Sequence, residues 1–298
     1  NDSIALRQPK YTFGDDVAKL TFALRSVGNT NAIAPLVGLL KAGKVADEKL
    51  GSVLAVVTEL GGPRELQYVF NEAIAENQVA SKRVALLRGL TTVTRKRKVR
   101  PAGNLAAIGP LLNSENAALQ AVAAEAVGLW EIDIHRGRLI GLAQSADTKP
   151  AVRSAVLGAI ANFGGPEGRK LLRELSGKRL TSSVRIGATV ALARLDLNEA
   201  ATRAVDVLAD LTPANKPEEL FAAFLSQKRG PAILAKAVAG RKIPADIAKI
   251  GLRQASASGR KQDILTAALR TAGGITTGPR KLSDNEMQQM IAGVRERG

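Results

Sequence analysis

Six consecutive residues, Arg95-Lys96-Arg97-Lys98-Val99-Arg100, form the densest run of charge in this chain. Cations packed that closely could neutralise successive phosphates of a nucleic acid, or dock on an acidic protein face. Arg169, Lys170, Arg173, Lys178 and Arg179 form a second such group, and Arg241, Lys242, Lys249 and Arg253 a third. The first run also has a structural explanation, because cations in the last turn of a helix face the negative end of its dipole. A solvated face is the default reading for all three groups. The candidate docking residues are therefore Arg95, Lys96, Arg97, Lys98, Arg100, Arg169, Lys170 and Arg173. Neutralising Arg95, Lys96, Arg97 and Lys98 together should leave folding almost unchanged, since exposed charges contribute little stability.

Other residue types capable of chemistry are scarce. His135 is the only histidine, with Glu131 and Asp133 nearby. That set lacks the paired ligands a zinc centre needs, so a surface or helix-flank position is expected. Trp130, the only tryptophan, could stack on a base, but Phe163 and Leu195 hold its place in later repeats, and period-matched apolar positions bury. There is no cysteine, which excludes disulfides, thiolate catalysis and covalent c-type haem attachment within these residues. No Gly-rich phosphate loop, nucleophile elbow or convincing acid–base pair is present, so no catalytic or metal-binding residue and no cofactor is assigned.

The elements that must position these side chains repeat. Asn116–Trp130, Thr148–Phe163 and Ser182–Leu195 read as one pattern, offset by about 33 and then about 32 residues, a period typical of solenoids. Leu119, Val152 and Val184 correspond, as do Gln120, Arg153 and Arg185. Asp15 and Asp16 cap a first helix, with Val17, Leu20, Ala23 and Leu24 on its buried face. Ile33, Leu36, Leu39 and Leu40 fall on one helical face, and Leu50, Val53, Leu54 and Val57 on the next. Gly61-Gly62-Pro63 and Gly164-Gly165-Pro166 each end one helix, by a left-handed glycine, and begin another at the proline; Gly230-Pro231 is a reduced version. The repeat is clearest from Ala102 to Leu211. After the break at Gly273-Gly274, Ser283 and Glu286 open a final helix through Met287, Met290, Ile291 and Val294.

Composition sets the outer bounds. With 45% hydrophobic and only 3% aromatic residues, the core must be built from Ala, Leu, Val and Ile, whose small volumes let helices stack closely. The net charge of +16 suggests an acidic partner, or a diffuse basic surface that keeps the chain soluble. No apolar run reaches the roughly 18 residues that span a bilayer. The chain opens on Asn1-Asp2-Ser3 with no initiator Met or signal sequence, as expected for a piece of something longer.

Val184-Arg185-Ile-Gly-Ala188-Thr-Val-Ala191-Leu192 resembles the Val-Arg-x-x-Ala-x-x-Ala-Leu pattern of HEAT repeats at every named position. Val152-Arg153 with Ala159-Ile160 resembles it less fully, since Val156 stands where the first alanine would be. The implied fold is an all-α solenoid of HEAT-like helix pairs, an armadillo-like superhelix. It would run over residues 15–273, after an extended lead-in over 1–14 and before a loop and terminal helix over 274–298 that leads to a linker.

Leu20–Gly28, Ala34–Lys44, Arg100–Asn104, Glu219–Leu225, Gly230–Asp246 and Ala292–Gly298 further resemble the helical middle region of exported bacterial membrane-bound dehydrogenase or haem-binding-domain proteins. In that family a sugar-dehydrogenase-like β-propeller commonly precedes the helical region, and a c-type cytochrome with a Cys-x-x-Cys-His haem site follows it. The resemblance implies a non-catalytic scaffold in an exported, periplasmic redox polypeptide. Haem c would lie in a downstream domain, and the partners would be flanking domains of the same polypeptide or an acidic redox protein. A second reading is a basic nucleic-acid-binding protein resembling the HEAT-like-repeat DNA glycosylases, which the charge favours and the scarcity of aromatics opposes. A free-standing peptide-binding solenoid is a third.

Overall fold

In the computed structural model the described residues are 33–275, together with the single position Gln288. The expected lead-in over 1–14, the helix capped by Asp15 and Asp16, and the final helix from Ser283 lie outside them. Every regular element among the described residues is helical. The chain divides into two compact units, one ending at Leu171 and the other beginning at Leu172.

The first unit contains α1 (Ala34–Lys41), α2 (Asp47–Leu60), α3 (Pro63–Ile74), α4 (Ala80–Arg97), a 3-10 helix (Leu105–Asn113), α5 (Ala117–Leu129), a 3-10 turn (Asp133–His135), α6 (Arg136–Gln144) and α7 (Pro150–Phe163). Helix α8 (Gly165–Leu175) carries the division. The second unit continues with α9 (Ser182–Leu192), α10 (Leu197–Ala209), α11 (Glu218–Leu225), α12 (Gly230–Val238), α13 (Ala245–Ala257) and α14 (Asp263–Ala272).

Each unit has two layers of helix pairs. In the first, α2, α4, α5 and α7 stack in succession, and α1, α3, the long 3-10 helix and α6 pair with them from the other side. In the second, α9, α11 and α13 form one layer and α10, α12 and α14 the other. This is an all-α solenoid arrangement, in which each pair buries its apolar stripe against its neighbours.

Local chemistry sets the joints. Asn116 Oδ1 accepts from the amides of Ala118 and Leu119, and Asp196 Oδ1 from that of Glu199, so α5 and α10 begin on side-chain caps. Pro63 and Pro150 open α3 and α7, where the missing N–H is not needed. The Gly-Gly-Pro turns, expected to be alike, differ. Gly164 and Gly165 do adopt positive φ, at 62° and 64°. Gly61 and Gly62 are extended, with φ of −64° and −84°. Gly61 is required for space: a Cβ there would lie 2.4 Å from the Val57 carbonyl oxygen. The α1 stripe also differs by a step. Ile33, Leu36, Val37 and Leu40 are buried, whereas Leu39 is 44% exposed, because positions i, i+3, i+4 and i+7 share one face.

Helices α5 and α7 approach closely in the core. A Cβ on Gly128 would lie 2.3 Å from the Cα of Ala159. Ala123, Ala124, Ala126 and Ala159 are buried around this crossing, so the alanine-rich composition is what lets these helices touch along their backbones.

Candidate interaction surface

The last four carbonyls of a helix have no partner within it. This chain satisfies several of them with long side-chain donors from its repeats, three arginines and a glutamine. Arg83, Gln120, Arg153 and Arg185 are each the fourth residue of their helices α4, α5, α7 and α9. Each reaches back to the end of the element before it. Arg83 donates to the carbonyls of Ala73 and Ile74, Gln120 to Leu112, Arg153 to Ser145, and Arg185 to Ser176. Arg185, 5% exposed, also donates to the Asp206 carbonyl and pairs with Asp210 at 2.8 Å. The correspondence of Gln120, Arg153 and Arg185 was legible in sequence, but Arg83 was not, because Lys82 stands where the aliphatic residue precedes the others.

Two of the five cations in the basic run are engaged in the same way, and a third in an ion pair. Arg97 Nη1 donates to the carbonyls of Glu59 at 2.6 Å and Gly61 at 3.0 Å, closing the end of α2. Arg100 donates to the Trp130 carbonyl at 2.8 Å, closing α5, and Arg95 pairs with Glu125 at 2.6 Å. Lys96 and Lys98 are exposed, and Lys98 ends α4 in the left-handed conformation. The expectation that Arg95, Lys96, Arg97 and Lys98 can be neutralised together without effect is therefore corrected at Arg97, which bridges two backbone carbonyls. R97Q is expected to lower unfolding free energy by about 1–2 kcal/mol, and K96Q/K98Q to change it by less than about 0.5 kcal/mol. Urea titrations of the two variants decide this, and equal midpoints would contradict the assignment.

The second group lies on and just after α8. Lys170 is exposed and Arg169 half-buried. Arg173 Nε donates to the Glu199 carboxylate, and that hydrogen bond and charge push the guanidinium pKa further above its ordinary value. In the third group, Arg241 pairs with Asp206 at 2.9 Å and Lys249 with Asp246 at 3.1 Å.

Trp130 is buried at 1% exposure, edge-on to Phe70, and its indole N–H donates to Thr94 Oγ1 at 3.0 Å. Its counterparts do not bury as the period suggested. Leu195 is half-buried, and so is Phe163, whose ring lies 4.9 Å from the Arg136 guanidinium carbon. Phe163 is the last residue of its helix, where a cation covers the ring in place of a neighbouring pair. His135 is half-buried in the 3-10 turn before α6 and hydrogen-bonds through Nε2 to the Ala106 carbonyl at 2.8 Å. Among the described residues no His, Asp and Glu cluster is placed to hold a metal ion, and no helix is long and apolar enough to cross a membrane.

One surface feature was missed in sequence. Helices α2 and α4 lie side by side and leave an open groove of about 930 Å³. Leu54, Thr58, Leu86 and Val93 form its floor and are themselves buried; the small residues Gly51, Ala55 and Ala85 keep it open, and Gly89 lets α4 close on the Thr58 side chain. Lys82, Arg88 and Lys96 stand along its α4 side. Its signal in sequence is a line of Gly and Ala on the same helical face as spaced cations, which apolar periodicity does not register.

Residues 105–193 match the family model of HEAT repeats, a stretch that begins with the long 3-10 helix and ends just past α9. These residues form a HEAT-repeat region, the class of helical scaffold or interaction module. A comparison with curated proteins gave no match.

Proposed function

We propose that this chain is a spacer within an exported, periplasmic redox polypeptide, placing a dehydrogenase domain near a c-type cytochrome, with each of its two units stiff in itself. What carries the reading is how neighbouring repeats are joined. Side chains bond across about one repeat length: Arg97 to Gly61, Arg100 to Trp130 and Lys149 to Glu115 in the first unit, and Gln227 to Ala193 and Arg241 to Asp206 in the second. Each bond ties one pair to its neighbour, so relative sliding of a pair must break at least one such bond, charge-assisted except at Gln227. The Arg100–Asn104 segment, part of the dehydrogenase-family resemblance, is one such joint. Arg100 closes α5, the Gly103 amide donates to Gln67, and Asn104 caps the 3-10 helix.

The nucleic-acid reading has less support, because Arg95, Arg97, Arg100 and Arg173 already bond carboxylates or carbonyls of the chain itself. The deciding measurement is the coding sequence past Gly298. A Cys-x-x-Cys-His motif soon after it is expected, and a stop codon there removes the redox-polypeptide reading. A duplex-DNA titration should then show only weak, salt-suppressed binding.

A further inference from the structure

We infer that the groove between α2 and α4 is a docking site for an amphipathic helix of another polypeptide, with an apolar face flanked by acidic residues. The inference rests on the interaction-module class of the fold and names the partner class of one surface.

The shape argues for a helix. Leu54, Leu86 and Val93 lie beneath the groove with at most 9% of their surface exposed, and the apolar surface that a side-chain stripe would meet comes from Leu50, Ala55 and Ala85. Its flanks are opened by Gly51 and Ala55 on α2 and by Ala85 on α4, so a third helix could approach closely, while Gly89 lets α4 pack against Thr58 of α2. A Cβ placed on Gly51 would meet nothing within 4 Å. The groove therefore has empty space above α2, unlike the Gly128 crossing, where a Cβ would strike backbone.

Charge names the partner. Lys82 and Lys96 stand at the two ends of the α4 wall, about 21 Å apart along the helix axis, with Arg88 between them. A helix of about four turns lying between α2 and α4 would place carboxylates beside all three while its apolar face covers Leu50, Ala55 and Ala85. On the opposite wall Asp47 and Glu59 stand near the two ends, which favours an occupant whose acidic residues lie on the α4 side alone. That apolar surface drives association and the cations set orientation.

The test uses the whole chain and a synthetic, fluorescently labelled helical peptide of about four turns, with leucines on one face and glutamates along one edge. Saturable binding is expected, and fluorescence anisotropy reads it. K82E/K96E should weaken the peptide by at least about tenfold, and a lysine-edged version of the peptide should prefer that variant over the parent chain. G51L should abolish binding while leaving the melting temperature unchanged or higher, because it fills open space at an exposed helical position. The inference is overturned by absent saturable binding, by equal affinity for the glutamate and lysine peptides, or by G51L binding like the parent. It is likewise overturned if duplex DNA binds the same cations with steep salt dependence and G51L leaves that binding intact. Failure here leaves the spacer reading standing, and a stop codon after Gly298 leaves the groove standing.

Discussion

Replacing Arg185 with alanine is expected to destabilise the second unit by about 2–4 kcal/mol, because it strands two backbone carbonyls and leaves a cavity. The side chain is 5% exposed and makes three contacts at once: the carbonyls of Ser176 and Asp206, and the carboxylate of Asp210. Alanine leaves the buried Ser176 carbonyl without this donor, together with a cavity the size of the guanidinium stem. R185K is expected to recover less than half the loss, since one ammonium on a flexible stem cannot serve both a carbonyl at the end of one helix and a carboxylate at the end of another. D210N should cost only about 1 kcal/mol, because Asp210 is 38% exposed and water replaces much of what it loses. Circular dichroism during urea unfolding measures all three. An R185A midpoint equal to that of the parent would show that the side chain is held by the fold and does not hold it.

G128A should destabilise the first unit by about 2–3 kcal/mol, a sign opposite to helix propensity. Within a helix, alanine ordinarily gains about 0.8–1 kcal/mol over glycine. At Gly128 the added methyl would sit 2.3 Å from the Ala159 Cα and 2.7 Å from its carbonyl oxygen. Those are backbone atoms, so no rotamer change can relieve the contact, and α5 and α7 must separate. The control is G141A in α6, where a Cβ meets nothing within 4 Å and the propensity gain should appear undiminished. Trp130, buried two residues from Gly128, gives the fluorescence readout for both variants. If G128A and G141A shift stability in the same direction, the close crossing is not a constraint on the fold.

These two positions show where sequence and structure divide the information. Arg185 was visible as a repeated residue, aligned with Arg153 and Gln120, and its place in the HEAT pattern was plain. Its role was not, because a cation two residues past a serine looks the same whether it points to water or to the end of the preceding helix. The same ambiguity led Arg95, Lys96, Arg97, Lys98 and Arg100 to be read as one patch. Folding divides them: Arg95 pairs with a carboxylate, Arg97 and Arg100 close two helix ends, and Lys96 and Lys98 face outward. Chain neighbours in a helix point about 100° apart, so a charge run in sequence is not a charge patch in space.

Class and period were written in the chain, since apolar residues spaced three and four apart, capping residues and the recurrence of about 33 residues are local properties that each window carries. Helix α1 shows their limit, as the stripe expected through Leu39 turned to Val37 once neighbouring pairs chose the buried side. What only folding decided is which surfaces meet. The extended Gly61 and the positive-φ Gly164 share one Gly-Gly-Pro spelling. The α2–α4 groove is assembled from residues some 30 positions apart, none of which signals it alone. Contacts of that kind depend on how one helix pair docks on the next, which is set by the sum of many side-chain volumes and charges from both.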